Sequence, residues 1–260
     1  NVIYNEYIKY ENEIVTGEVE RRDNHFIYVN LGKVEAVLSH KDQIQGEEYK
    51  SHDKIKVYIY KVENSSKGPQ VFVSRSHPDL LRRLFEQEVP EIYNGEVEIV
   101  SIAREAGDRA KVAVRATIDN LDPVGTCVGP RGERVQKIVN ELKGENMDIV
   151  KWDEDPATFI ANALNPADVL AVRFDPENEH DCTVVVPDDQ LSLAIGKRGQ
   201  NVRLAARLTG YKIDIKSETD AAEENLEDKT VAEPVEPAVE EEPVEDVSVE
   251  TEATDEGSEE

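Results

Sequence analysis

The chain has 260 residues, and its 56 Asp and Glu against 30 Lys and Arg give a formal net charge of -26. Such an acidic chain is at first sight a poor nucleic-acid binder, because phosphate contacts require Lys and Arg. No apolar run approaches the roughly 20 residues that span a bilayer, which excludes an integral membrane protein. No basic segment followed by an apolar stretch marks a secretory signal. The two cysteines have no CxxC spacing, which excludes a disulfide scaffold and a thiolate zinc site.

The negative charge is concentrated at one end of the chain. Residues 217–260 hold 19 carboxylates and a single cation, Lys229, which gives this segment a net charge of −18. Residues 1–216 therefore hold 37 acids and 29 bases, a net charge of −8. Most of the overall negative charge therefore comes from the C-terminal segment. It does not decide whether the rest of the chain binds nucleic acid.

The first residues have the periodicity of a helix. Ile3, Tyr7, Tyr10 and Ile14 recur at spacings of 4, 3 and 4 and share one face. No N-cap residue precedes them. We predict that residues 1–11 are the end of a connecting helix from a missing N-terminal domain.

Five β-rich runs separated by turn-prone residues follow, and they predict a small closed barrel of the OB type over residues 12–76. The predicted strands are 14–20, 25–31, 34–38, 55–62 and 70–74.

Alternation within these strands assigns their two faces. Ile27, Val29 and Leu31 share one face, so Phe26 and Tyr28 share the other. Val57 and Ile59 oppose Tyr58 and Tyr60 in the same way. The aliphatic face fills the barrel, so the aromatic side chains point outward. They either stack on nucleobases or pack against a neighbouring domain.

Two similar α/β units follow the barrel, over residues 77–153 and 154–217. Each is predicted to run α-β-β-α-turn-α-β. The predicted elements of the first are a helix from 80 to Pro90, strands 96–103 and 110–116, a helix 133–142 and a strand 147–152; those of the second are a helix 155–164, strands 169–174 and 182–186, helices 187–195 and 200–208, and a strand 211–215.

A glycine-framed loop occurs at the same place in each repeat. The first glycine loop is Gly129-Pro130-Arg131-Gly132, and the second, 67 residues later, is Gly196-Lys197-Arg198-Gly199. Glycines let the main chain approach a sugar-phosphate backbone closely, and the N-terminus of the next helix presents free N–H groups to it. The duplicated loops predict that the chain holds a short single strand by its phosphates. The alternative is two helix-to-helix turns whose basic residues are only solvated.

Local charge supports a phosphate contact at both loops. Residues 196–216 contain six bases against Asp214, a net charge of +5, and residues 129–143 have a net charge of +2. We therefore expect the second loop to make the stronger electrostatic contact.

The repeats resemble type II KH domains and the barrel resembles an S1 domain. In this order they resemble the NusA family of transcription termination/antitermination factors over residues 1–217. Besides the loops, the resemblance rests on Ser74-Arg75-Ser76-His77-Pro78, Glu88-Val89-Pro90-Glu91-Ile92, Ala103-Arg104-Glu105-Ala106-Gly107, Asp122-Pro123-Val124-Gly125 and Gln200-Asn201-Val202-Arg203. Pro130 stands where the family has a basic residue.

The resemblance implies nascent single-stranded RNA and RNA polymerase as partners, and a role in pausing, termination and antitermination. We expect the polymerase-binding domain of the family to be absent from this chain, which leaves its binding to RNA polymerase open. The predicted RNA contacts combine both loops, the helix starts after them, two barrel aromatics and the arginine at the end of the barrel: Gly129, Arg131, Gly132, Arg134, Gly196, Lys197, Arg198, Gly199, Gln200, Asn201, Arg203, Phe26, Tyr28 and Arg75.

Other functional classes have weaker support. The five histidines have no metal-binding spacing and no phosphate loop of the GxxxxGK[ST] type occurs, so we expect no enzyme, no metal and no cofactor. The unpaired cysteines are typical of a cytoplasmic protein, which we expect to be a monomer. One alternative is an accessory module of an exoribonuclease-type machine, although such proteins usually place a single KH domain before S1. Another is a protein–protein adaptor that uses its acidic segment.

Residues 218–260 are rich in Glu, Pro and Val, a composition that predicts a disordered acidic tail. Such a tail either solubilises the chain or competes with RNA for the basic loops.

Overall fold

The computed structural model describes residues 2–224, and the predicted barrel is its first module. Five strands close in the order β1-β2-β3-β5-β4, with β3 and β5 parallel and the other neighbours antiparallel. The strands are β1 (Ile14–Arg22), β2 (Phe26–Asn30), β3 (Glu35–Ser39), β4 (Lys54–Ser65) and β5 (Gly68–Ser74). Ile27, Val29, Val57 and Ile59 are all at most 1% exposed, so the predicted inner face is correct.

The N-terminal helix is shorter than predicted. Helix α1 spans Val2–Tyr7, a single 3-10 turn follows, and Ile14 already pairs with Tyr58 as the first residue of β1. Ile14 has the helical spacing but belongs to the sheet, because its backbone groups are held by β4. The Tyr7 hydroxyl donates to the carbonyl of Leu31 at 3.0 Å, which fixes α1 against the barrel.

The first repeat has the predicted order of elements. It contains α2 (Pro78–Glu88), α3 (Pro90–Tyr93), β6 (Val97–Glu105), β7 (Arg109–Ala116), α4 (Pro123–Val128), α5 (Glu133–Glu141) and β8 (Asn146–Lys151). In the sheet β6-β7-β8, β6 is antiparallel to β7 and β8 is parallel to it. Pro78 and Pro90 each occupy the first turn of a helix, where the missing N–H has no partner to lose.

The second repeat has the same topology. It contains α6 (Pro156–Ala163), β9 (Ala171–Phe174), β10 (Asp181–Val186), α7 (Leu191–Ile195), α8 (Gln200–Thr209) and β11 (Lys212–Ser217), with β10 antiparallel to β9 and parallel to β11. The predicted class, an OB-type barrel followed by two α/β repeats, is confirmed.

A further helix occupies the start of the predicted tail. Helix α9 spans Glu218–Glu223, and the Ser217 hydroxyl caps it by accepting from the backbone N–H of Asp220. Ala221 on this helix is 6% exposed because α9 packs on β10 and β11. The tail boundary at residue 218 is therefore wrong, and the prediction for 225–260 lies outside the described residues.

The modules share cores rather than standing apart. Ile44 and Tyr58 of the barrel belong to the same apolar cluster as α2 and the front of the first repeat's sheet. Ala103, Ala113 and Val150, on the back of that sheet, belong to the cluster formed by α6 and α8 of the second repeat. Each repeat thus packs its helices against the sheet of the module before it.

This packing decides between the two alternatives for one outward aromatic, which packs against the neighbouring domain. Tyr58 points away from the barrel interior, yet it is 3% exposed because it stacks on His77 at 4.7 Å and lies beneath the first repeat. It is not available to a nucleobase.

Residues 2–224 contain no helix that is long and apolar enough to cross a membrane.

Candidate nucleic-acid interface

The two glycine loops have almost the same backbone geometry. Gly129 has φ 78° and ψ 170°, and Gly196 has φ 77° and ψ 171°. The central arginines, Arg131 and Arg198, are left-handed at φ 58° and 56°. In both loops the N–H of the second glycine donates to the carbonyl of the first at 3.1 Å. The two loops therefore have the same backbone structure although their second residues, Pro130 and Lys197, differ.

The first glycine of each loop is required by space as well as by φ. A Cβ on Gly196 would lie 2.7 Å from the backbone nitrogen of Asn201, and one on Gly129 would lie 3.0 Å from that of Arg134. A Cβ on Gly132 would meet nothing within 4 Å. The first glycine of each loop packs closely against the N-terminus of the next helix, whereas a Cβ on the second would meet nothing nearer than Nη1 of Arg203, 3.8 Å from a Cβ on Gly199.

The loop cations point into solvent. Arg131, Lys197 and Arg198 are exposed, and no salt bridge among residues 2–224 includes them. Each stands at the start of a helix of nine or ten residues, α5 or α8, whose N-terminal N–H groups and dipole favour an anion. The arrangement can hold phosphate groups in both repeats.

One predicted contact in each repeat forms hydrogen bonds within the protein. Asn201 is 3% exposed and donates from Nδ2 to the carbonyls of Ala194 and Leu164 at 2.9 and 3.0 Å. Arg134, five residues after the first glycine like Asn201, donates to the carbonyl of Thr126 at 2.9 Å. Both side chains tie the loop to the preceding helix. The prediction that Asn201 contacts RNA is wrong because its amide is buried.

Gln200 and Arg203 face the first repeat. The Gln200 amide nitrogen donates to carboxylate oxygens of Glu105 and Asp108, each at 2.7 Å. Arg203 pairs with Glu105 at 2.6 Å and also donates to the carbonyl of Arg198 at 2.9 Å. The second loop is thereby bonded to the turn between β6 and β7.

The outer face of the barrel carries a transverse row of side chains. Strand register places Arg21 opposite Tyr28, Tyr28 opposite Val37, Val37 opposite Phe72, and Phe72 opposite Lys61. The Arg21 guanidinium lies 3.8 Å from the centre of the Tyr28 ring, and the Lys61 ammonium lies 5.8 Å from that of Phe72. We call these five residues the outer row. Its apolar centre and cationic ends suit stacked bases.

Phe26 extends the outer row along β2. Its ring is 38% exposed and lies 6.4 Å from the rings of both His25 and Tyr28. The Tyr28 hydroxyl donates to Asp23, and this hydrogen bond is the main reason why the pKa of Tyr28 is raised. Both predicted aromatics thus lie on an accessible surface.

The sequence interpretation missed the other members of the outer row. Phe72 alternates with the buried Val71 and Val73, so period 2 alone could have placed it outside. Arg21 and Lys61 become neighbours of aromatic rings only through cross-strand register, which the sequence does not contain.

Arg75 is a core residue at the junction of the barrel and the first repeat. Its side chain is fully buried and pairs with Glu47 at 2.7 Å and with Glu141 at 3.1 Å. It also donates to the carbonyl of Lys56 at 2.9 Å. The prediction that Arg75 contacts RNA is wrong, because every face of its guanidinium is enclosed by protein. Nearby Tyr49 is buried as well, which raises its pKa to about 12.

Within residues 2–224 no cluster of three or more His, Cys, Asp or Glu side chains is placed to hold a metal ion. Burial raises the pKa of the Cys127 thiol to about 12 and that of Cys182 to about 11, so both are weak nucleophiles.

Three family models match successive parts of the chain. Residues 9–74 match the S1 RNA binding domain, residues 75–152 match the NusA-like first KH domain, and residues 156–223 match the NusA-like second KH domain. Their boundaries follow the barrel and the two repeats.

Curated relatives match most of the chain. The chain is 62% identical over 236 residues to the transcription termination/antitermination protein NusA of Bacillus subtilis, which covers 91% of this chain and 63% of the relative. The NusA proteins of Halalkalibacterium halodurans and Thermus thermophilus are 60% and 51% identical over 86% and 82% of this chain, and 59% and 55% of their own lengths are covered. The chain spans about three fifths of the length of these relatives.

Proposed function

The chain belongs to the NusA family of transcription termination/antitermination proteins, and from that premise we propose that it binds nascent single-stranded RNA along the barrel and both glycine loops. The observation that carries the proposal is the pair of matching loops with Arg131, Lys197 and Arg198 exposed on them. The function is one of binding and includes no catalytic step.

The two kinds of surface contribute different interactions. Phosphates lie against the loop cations and the free N–H groups of α5 and α8, where charge and helix dipole act together. Bases stack on the outer row, where Arg21 pairs with Glu35 at 2.7 Å and Lys61 pairs with Glu63. Because these cations are already paired, the barrel supplies mainly stacking and the loops supply mainly charge.

The regulatory role is that of a factor acting on the transcribing RNA polymerase. Relatives are named for termination and antitermination, and we propose that this chain modulates those events by holding the emerging transcript. An accessory module of an exoribonuclease is less well supported, because here S1 comes first and two KH domains follow.

The proposal is tested by changing Arg131, Lys197 and Arg198 together to Asp and titrating a single-stranded RNA over a range of salt. For single strands, log K falls with log salt by about 0.7 for each phosphate neutralised, so three lost contacts reduce the slope by about 2. We expect the affinity at low salt to fall at least about tenfold.

A matched control is Lys9→Asp, since Lys9 is an exposed lysine on the turn after α1. The control is expected to keep the wild-type slope. If the triple variant bound RNA as tightly as the wild type, or if wild-type affinity did not depend on salt, RNA binding through the loops would be refuted.

A further inference from the structure

The second glycine loop is held in place by a residue of the other repeat. Glu105, at the end of β6, accepts hydrogen bonds from Arg203 at 2.6 Å and from Gln200 at 2.7 Å. Arg203 in turn donates to the carbonyl of Arg198, the left-handed central residue of the loop. A continuous path of hydrogen bonds thus joins Glu105 to the loop backbone.

Among residues 2–224, no equivalent hydrogen bond joins the first glycine loop to another module. The residue that corresponds to Arg203 is Gln136, whose side chain donates within its own helix, to Asn140 at 2.9 Å. The tie at the second loop is therefore not required to build the loop, whose geometry the first loop reaches without it. The hydrogen bonds of Glu105 instead hold one repeat in place relative to the other.

Other contacts cross the same joint nearby. Ser101 donates to the carbonyl of Leu208 at 2.8 Å, and the buried Lys111 donates to the carbonyl of Asn165 at 2.9 Å. These contacts hold the sheet of the first repeat to the helices of the second. Glu105 and Asp108 differ from these contacts because their partners, Gln200 and Arg203, lie in the first turn of α8, directly after the second glycine loop.

We propose that Glu105 is a positioning residue that fixes the distance and direction between the two phosphate-binding loops, so that one RNA strand engages both. The inference rests on the proposed function. When two sites on one rigid body bind one strand, the second contact forms at a high effective concentration, and this advantage falls when their relative placement is loosened. The neutral variant Glu105→Gln keeps the size of the side chain and removes the ion pair with Arg203.

The test compares two RNA lengths. One oligonucleotide has about four nucleotides, the length that one KH loop holds, and the other is about three times longer. For Glu105→Gln we expect affinity for the long RNA to fall about tenfold while affinity for the short RNA changes less than about twofold. Glu98→Gln is the matched control, because Glu98 lies on the same strand and pairs with Arg115 at 2.6 Å outside the joint.

Each outcome has a definite meaning. An equal loss of affinity for both RNA lengths would place Glu105 within a single binding site. A gain of affinity for the short RNA would show that Glu105 competes with phosphate. Either result, or an unchanged affinity for the long RNA, overturns the positioning role. Wild-type protein that binds both lengths equally would instead contradict the proposed function. Thermal unfolding of both variants checks that the fold is retained.

Discussion

Replacing Arg75 by methionine separates the structural role of this arginine from the role in RNA binding that the sequence suggests. The change removes a side chain of zero exposure whose guanidinium contacts Glu47 and Glu141 and the carbonyl of Lys56. The carboxylate of Glu47, only 2% exposed, would remain buried with just the distant Lys143, at 4.0 Å, as a cation. Breaking a buried pair in this way costs about 3–5 kcal/mol of folding free energy.

The assay is urea unfolding of Arg75→Met, Glu47→Gln and the double variant, followed by RNA titration across salt below the unfolding transition. We expect Arg75→Met to lose about 3–5 kcal/mol. The double variant should lose less than the sum of the single variants by about 0.5–3 kcal/mol, because the residues are in direct contact. The salt dependence of RNA binding should match that of the wild type.

The opposite pattern would refute this reasoning. If Arg75→Met unfolded within about 1 kcal/mol of the wild type while its salt slope fell by about 0.7, Arg75 would be a phosphate contact and the enclosed arrangement would be wrong. The two readouts respond to different roles, so a loss of stability cannot be mistaken for a loss of RNA contact.

Three further changes have defined outcomes. Gly196→Ala should destabilise the protein in urea by more than Gly132→Ala, whose left-handed backbone costs about 1–2 kcal/mol. Gly196, at φ 77° and ψ 171°, has a backbone conformation essentially restricted to glycine, and a Cβ there would also lie 2.7 Å from the Asn201 nitrogen. Equal losses would contradict this reasoning. Phe72→Ala should weaken RNA binding by about 1–3 kcal/mol without changing the salt slope, whereas replacing Tyr93, an exposed ring on α3, should have no effect. Between pH 10 and about 12 the folded state keeps the phenolic proton of Tyr49 that the unfolded state releases, so the free energy of unfolding should fall with rising pH. Tyr49→Phe should make this fall less steep. The same pH dependence in both proteins would contradict the raised pKa of Tyr49.

Local patterns in the sequence account for most of the fold. Alternation located the five barrel strands, and the duplicated glycine loops located both repeats, because these signals depend on neighbours a few residues apart. The burial of Arg75 depends instead on Glu47 and Glu141, which lie 28 and 66 residues away. No periodicity reports such a partner, so an arginine at the end of a barrel looks the same whether it faces RNA or a carboxylate.

The site was predictable to a similar extent. The exposed cations follow from loop chemistry, whereas the burial of Asn201 and Tyr58 follows from helices that pack over them. Gln200 and Arg203 were placed at the correct loop, but their bonds to Glu105 require the relative placement of the repeats.

The short helix α9 also bears on where the domain can be cut. Helix α6 covers the back of the first repeat's sheet, and α9 occupies the corresponding place after β11 of the second repeat. There it packs on β10, where the outward-facing Val185 is 5% exposed. In repeat proteins the last unit needs a terminal cap with a polar outer side, and α9, with Glu218, Asp220 and Glu223 around Ala221, has that character. A truncation at Ser217 would therefore expose the face of β10 and β11 that α9 covers and favour aggregation, whereas one after Glu224 would keep that face covered.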